Sequence, residues 1–311
     1  MRRITIVLAV LLLAGAAFTA WGAASPGDKS AAAGPAAKPK KKKPAAKPKL
    51  PALPSAVKNR KRWEIGVKCD FPPFGFIDVR GRNDGYDVQI ARRFAQLAFG
   101  SKTKVNLTCV TTPSRIPTLM SSRVDIIIST LTWTQARADQ IDFSIPYYSA
   151  TGRLLVPNNS SLTVNSLGGK TVVTTRGALY ATWVRNCFKS AKLLEVDSPA
   201  LATSAVKDGR ADTFMFDDAF LLGVATQDRD VRLTGDKFLN VPWGIGIRKG
   251  DAATVRWVNA ALRYMKKQDE FVKILRANAP TRLVGSFLDN VPRPKNTFAY
   301  PVGKDVTSIC P

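Results

Sequence analysis

Residues 125–148 read DIIISTLTWTQARADQIDFSIPYY. Val124 to Ser129 is a β-branched apolar run closed by small polar residues, which predicts a buried strand ending at Ser129. Thr130 to Trp133 then cross to Thr134, a hydroxyl residue suited to cap a helix by accepting from the free N–H groups of its first turn. Thr134 to Gln140 is expected to be helical, which puts Arg137 in that first turn. Unpaired backbone N–H groups and the positive end of the helix dipole converge there, and a guanidinium beside them makes a fork matched to a carboxylate. A solvated surface also carries arginines, so this pattern alone leaves both readings open.

Strands and helices alternate on either side of this stretch. Trp63 to Lys68 (WEIGVK) reads as a strand, Tyr86 to Phe99 as a helix and Val105 to Val110 as a strand. In the helix Ile90, Phe94 and Leu97 share one face, Arg92 and Arg93 the other, and Gly100 ends it. Ile116 to Ser121 is a short helix. The pattern restarts with a strand at Thr171–Thr175, helices at Leu179–Cys187 and Pro199–Asp208, and a strand at Ala211–Phe216. Met120-Ser-Ser-Arg-Val-Asp-Ile126 is echoed by Lys207-Asp-Gly-Arg-Ala-Asp-Thr213: a helix end, Arg-x-Asp, then a strand. Two similar α/β lobes would produce that repeat. Asp251 to Gln268 and Glu270 to Ala277 are the last helices.

The chain has 311 residues and a formal net charge of +24. Residues 1–62 carry +13 of it, in a low-complexity arm, so the charge is not read as a nucleic-acid footprint. Arg2 and Arg3, the apolar run Ile4–Phe18 and the small residues Gly22-Ala23-Ala24 read as a signal peptide over 1–24; an uncleaved anchor is the alternative. Residues 25–59, rich in Ala, Lys and Pro, read as a disordered tether with an extended reach on the order of 100 Å. It serves as a spacer or as an arm for anionic envelope surfaces. There is no histidine, which excludes His-based zinc sites and Ser-His-Asp or Cys-His catalysis. No metal or cofactor is expected. Export favours pairing Cys69, Cys109, Cys187 and Cys310 into disulfides, with three connectivities open.

The segment Ser129-Thr-Leu-Thr132, then Arg137, then Asp142-Phe-Ser-Ile-Pro-Tyr-Tyr148 resembles the amino-acid-binding branch of the extracellular solute-binding proteins of ABC importers. Ile65-Gly66 to Phe74, Gly85-Tyr86-Asp87, Ala211-Asp212 to Asp217 and Gly244 to Gly250 extend the likeness over about Trp63 to Ala277. The resemblance implies an α/β two-lobed periplasmic-binding-protein fold of type II with two crossover strands. Residues 63–150 and 246–311 would form the first lobe and 151–245 the second. A monomer in the periplasm or cell envelope would close its hinge on a ligand and meet a membrane permease. In this fold the first two strands are neighbours, so Cys69 would pair with Cys109, leaving Cys187 for Cys310.

The same resemblance assigns a site. Arg137, helped by Thr132, would grip the ligand α-carboxylate. Ser129, followed by Thr130, would accept from the α-ammonium group, and Asp217 would pair with it. A helix cap is the other reading of Asp217. Phe71 would cover the ligand. The turn Thr175 to Leu179 would donate backbone N–H groups, although Leu179 departs from the family's Thr or Ser. Lys68 stands where members for basic or polar ligands carry Asp. A further buried cation needs a further anion, so an acidic ligand, glutamate or aspartate, is expected unless Asp70 or Asp87 neutralises Lys68 or it points out of the cleft. Two rivals remain. One is a sensor module for a signalling partner. The other is a cyclohexadienyl-type dehydratase, which would need a catalytic Glu where this chain has Phe220.

Overall fold

A computed structural model describes residues 48–311. The expected signal peptide or anchor and most of the expected tether lie outside the described residues. The end of that tether is not a spacer. Ser55–Arg60 is a helix (α1) whose Val57 is buried, and Leu50 and Leu53 pack on the same core. Arg60 also pairs with Asp125. Removing residues 1–47 is expected to leave the melting temperature unchanged. Removing residues 1–60 exposes the surface under Val57 and should lower it by about 3 °C or more in scanning calorimetry.

The first lobe opens with β1 (Trp63–Lys68), a small hairpin sheet β2 (Asp70–Phe71), β3 (Gly75–Ile77) and β4 (Asn83–Asp84), then α2 (Tyr86–Phe99), β5 (Val105–Val110), α3 (Arg115–Met120), β6 (Ile126–Ile128), α4 (Gln135–Ala138) and β7 (Ile141–Phe143). The second lobe contains β8 (Tyr148–Pro157), β9 (Thr171–Thr175), α5 (Leu179–Cys187), β10 (Lys192–Val196), α6 (Pro199–Lys207), β11 (Thr213–Asp217), α7 (Asp218–Ala225), β12 (Val231–Leu233) and β13 (Phe238–Trp243). The chain returns to the first sheet as β14 (Gly246–Arg248) and ends with α8 (Ala252–Lys267), α9 (Glu270–Asn278) and α10 (Thr281–Phe287).

One sheet runs β5-β1-β6-β14-β7 and the other β10-β9-β11-β8-β12, with β13 added on β8. β1, β5 and β6 are parallel, as are β9, β10 and β11, so each lobe keeps the strand–helix–strand logic read from the sequence. The start of β8 and the end of β13 are the two crossovers, paired antiparallel from Gly152–Phe238 to Tyr148–Trp243. The Arg-x-Asp echo has a structural cause. Asp125 Oδ2 accepts from the N–H of Glu64 at 2.9 Å, and Asp212 Oδ2 accepts from the N–H of Thr171 at 2.7 Å. In each lobe the aspartate entering one strand closes the start of its parallel neighbour, supplying an acceptor the ladder leaves out.

Both disulfides pair as the resemblance implied, Cys69–Cys109 with Cα atoms 5.4 Å apart and Cys187–Cys310 at 5.2 Å, inside the range that bridging needs. The second corrects the lobe assignment of the C-terminus. Val306–Ser308 packs on α5 and Trp183 Nε1 donates to Ile309 O at 2.7 Å, so the end of the chain lies on the second lobe, not the first.

Candidate functional site

The carboxyl ends of β1, β6 and β11 meet where the two lobes face each other, the place where open α/β sheets bind ligands. Thr112, Arg115, Thr130, Thr132, Ala178, Leu179, Tyr180, Phe216 and Asp217 line one small interlobe cavity. It leaves about 10 Å³ free to the centre of a water-sized sphere, room for about one water molecule. The lobes are therefore closed on each other.

The floor is the crossing after β6. Thr130 has φ +44°, a left-handed conformation that is strained for a β-branched residue. It is held from both sides. Its N–H donates to Asp87 Oδ2 at 3.0 Å and to the Tyr147 hydroxyl at 2.9 Å. Arg115 Nη1 donates to Ser129 O at 2.8 Å and to Thr130 O at 3.1 Å. Asp87 is fully buried, and the cost of desolvation pushes its carboxyl up to about 7. The Ser129 hydroxyl is buried and has no hydrogen-bond partner among the described residues, as is true of the Thr175 hydroxyl across the cleft. Unpaired buried hydroxyls are costly and leave donor and acceptor capacity for a guest.

Asp217 ends β11. Its side chain does not cap α7. It accepts instead from the Tyr180 hydroxyl at 2.6 Å, and burial pushes it up to about 7 despite Arg115 and Arg137 nearby. Asp218 takes the local backbone role, accepting from Thr151 N at 3.1 Å and from its hydroxyl at 2.8 Å.

Two guanidiniums serve this cleft. The sequence reading identified Arg137 and missed Arg115. Thr134 caps α4 as expected, but that helix is a single turn. Half-buried Arg137 reaches across the lobes: Nη1 donates to Thr132 O at 2.6 Å and Nη2 to Gly177 O at 2.8 Å. Gly177 has φ +75°, and only glycine takes that turn without strain. Arg137 lines an outer chamber that shares Ala178 and Leu179 with the inner cavity. Burial first, and then the charge of Arg115, bring its pKa down to about 9. Arg115 is the deeper cation, lowered to about 10 by desolvation. One sequence signal marked it: a cation at the first position of a helix opposes the dipole, so its place at the start of α3 calls for another reason.

Lys68 departs from expectation. It is fully buried and does not point outward, but its Nζ lies 2.7 Å from Asp70 Oδ1 and donates to Thr112 Oγ1 at 2.8 Å. Desolvation lowers it to about 8 even with Asp70 beside it. The protein itself supplies the anion that charge counting had assigned to the ligand. Phe71 also sits differently. It packs among Phe74, Phe216, Phe220 and Trp243, with centroids 5.2–5.8 Å away. It thereby joins the lobes in an aromatic cluster and does not line the inner cavity. Of the expected site residues, Thr130, Thr132 and Asp217 line that cavity.

Residues 64–278 match the bacterial extracellular solute-binding proteins, family 3. The chain belongs to that family. This solute-binding protein is 33% identical over 225 residues to the ABC transporter glutamine-binding protein GlnH of Bacillus subtilis, covering 71% of this chain and 82% of that one. It is 36% identical over 196 residues to the glutamine-binding protein of Geobacillus stearothermophilus, covering 62% and 75%. Among solved structures, the solute receptor for L-cysteine of Neisseria gonorrhoeae superimposes with a TM-score of 0.70 at 29% identity, covering 73% of this solute-binding protein and 93% of the receptor. Such structures are type II periplasmic binding proteins, and this protein's two-lobed α/β fold is theirs.

Proposed function

We propose that this protein captures a free amino acid between its lobes and presents it, closed, to the permease of an ABC importer. One observation carries the reading: Arg115, Asp217, Thr130, Thr132 and Tyr180 line a single interlobe cavity. An acid, a cation and hydroxyl-bearing residues around one enclosed space, with Arg137 beside it, are complementary to a zwitterion. Asp217 takes the α-ammonium group. Arg137 exchanges its two backbone carbonyl partners for the α-carboxylate, and Arg115 takes an oxygen of the ligand side chain. Ser129 and Thr175 add their hydroxyls. The family's extracellular description supports export to the periplasm or envelope, with the basic N-terminal arm as spacer or surface anchor. Nothing at the position of Phe220 offers the carboxylate a dehydratase needs, since its ring packs on Phe71.

The ligand is an amino acid whose side chain ends in an oxygen acceptor. Lys68 and Asp70 cancel, Arg137 and Asp217 balance the zwitterion, and Arg115 remains, with the Asp87 carboxyl nearby raised by desolvation toward its neutral form. A side-chain carboxylate completes that balance, which favours glutamate or aspartate. A second reading, glutamine, is favoured by the two glutamine-binding relatives. Calorimetric titration with glutamate, aspartate, glutamine and arginine separates them. Preference for arginine, or no binding of any amino acid, overturns the assignment. Arg137→Ala is expected to weaken every amino acid that binds by a similar factor, about tenfold or more, because all share the α-carboxylate; a loss confined to one side-chain class would remove Arg137 from that role.

A further inference from the structure

Residues 279–311 follow the family match and touch both lobes. α10 packs on α9 of the first lobe and on α7 of the second, and the Asn290 side chain donates to Ser149 O in the crossover. Tyr300 then seats on the first lobe. Its ring stacks on Trp133, with centroids 5.5 Å apart and planes at 17°, and its hydroxyl donates to Ser144 O at 2.7 Å. The fit is close enough that a Cβ on Gly244 would fall 2.0 Å from the Tyr300 hydroxyl. The chain next reaches the second lobe. There Asn186 Nδ2 donates to Thr307 O at 3.0 Å, and Cys310 is bonded to Cys187. In between it passes the cleft: Asp305 and Thr307 line the same outer chamber as Arg137 and Gly177, whose hydrogen bond joins the lobes.

We infer that the C-terminal tail is a strap across the cleft that holds the lobes toward the closed arrangement and slows release of a bound solute. Its two anchors differ in kind. The second-lobe anchor is covalent and cannot yield. The first-lobe anchor is a stacked ring and one hydrogen bond, and it can. From Tyr300 to Cys310 the chain spans at most about 35 Å when fully extended. It already contains a turn of 3₁₀ helix at Val306–Ser308. Unwinding that turn accommodates a small opening, whereas a larger one requires Tyr300 to leave Trp133. Every fully open molecule therefore bears a cost that closed molecules do not, which shifts the population toward closure.

The hinge belongs to the function proposed above, but the deciding measurement needs no ligand. Small-angle scattering of the ligand-free protein is compared for wild type, Cys187→Ser/Cys310→Ser and Tyr300→Ala. Tyr300→Phe, which keeps the ring, guards against a folding defect. Both strap-cutting variants are expected to show a larger radius of gyration than wild type, with Tyr300→Phe between. In stopped flow they should release bound glutamate or glutamine about tenfold faster. Radii unchanged in both variants overturn the strap. If wild type binds no amino acid, the proposed function falls while the scattering comparison still decides the strap.

Discussion

Arg115→Ala is expected to reduce glutamate affinity roughly 100- to 3,000-fold while reducing glutamine affinity much less. The range is the cost of stripping one partner from a buried charged pair, about 3–5 kcal/mol, at 1.4 kcal/mol per tenfold. Glutamine offers the same cavity a neutral oxygen, so only an ordinary charge-assisted bond is lost, about 1.5–3 kcal/mol. Arg115 also clamps the carbonyls of Ser129 and Thr130, and loss of that clamp would weaken all ligands alike. The ratio of the two affinities, measured by calorimetry on one preparation, is therefore the readout. An unchanged ratio leaves Arg115 as scaffolding and removes the physical case for an acidic ligand.

Asp217→Asn should act in opposite directions on binding and on stability. The α-ammonium group loses its counter-ion, so every amino acid should bind at least about 100-fold more weakly. Without ligand, the same replacement should stabilise the protein above neutral pH. Burial holds the folded carboxyl near 7, above its ordinary value of 3.8. The folded state thus binds the extra proton between about pH 4 and pH 7, and the stability this contributes is lost as pH rises through that window. Asp87, also raised to about 7, adds a term of the same sign. Wild type should therefore lose stability from pH 5 to pH 8 in urea titrations, Asp217→Asn should lose less, and ligand should restore it. Equal slopes in the two proteins would show that Asp217 is not the strained group.

Several elements were legible residue for residue. Trp63–Lys68, Tyr86–Phe99, Val105–Val110, Thr171–Thr175 and Leu179–Cys187 begin and end where apolar periodicity and flanking polar or glycine residues place them. All but the edge strand Val105–Val110, where only Val110 is buried, bury one face or both, so packing and pattern agree. The hairpin over 70–84 and the strands β8, β10, β12 and β13 carry weaker patterns. β8 contains Gly152 and Arg153, β13 contains Pro242, and both are shaped by pairing with each other. The interlobe cavity was legible where its residues sit in a linear motif: Thr132 and Asp217 line it, and Arg137 lines the outer chamber beside it. It was not legible where function depends on what lies opposite. Asp70 is two residues from Lys68 in the chain, but only the turn of the backbone into β2 brings its carboxylate onto the amine. Arg115 became part of the site through α3 packing beneath the crossing, a contact with no local signature beyond its awkward place at a helix start.

The position of β14 bears on how the chain acquires its structure. This strand lies between β6 and β7, yet it follows the entire second lobe in sequence. While the polypeptide is being made, the sheet of the second lobe is a continuous segment and can assemble before the C-terminal tail arrives to pack on it. The first lobe meanwhile has a gap in the middle of its sheet, with the β6 and β7 edges unpaired until Gly246–Arg248 arrives. Such non-local pairing is slow to form, and open strand edges invite association with other chains. The first lobe is therefore expected to be the last part of the molecule to become protease-resistant during refolding, and its unpaired edges the place where high concentration would favour aggregation.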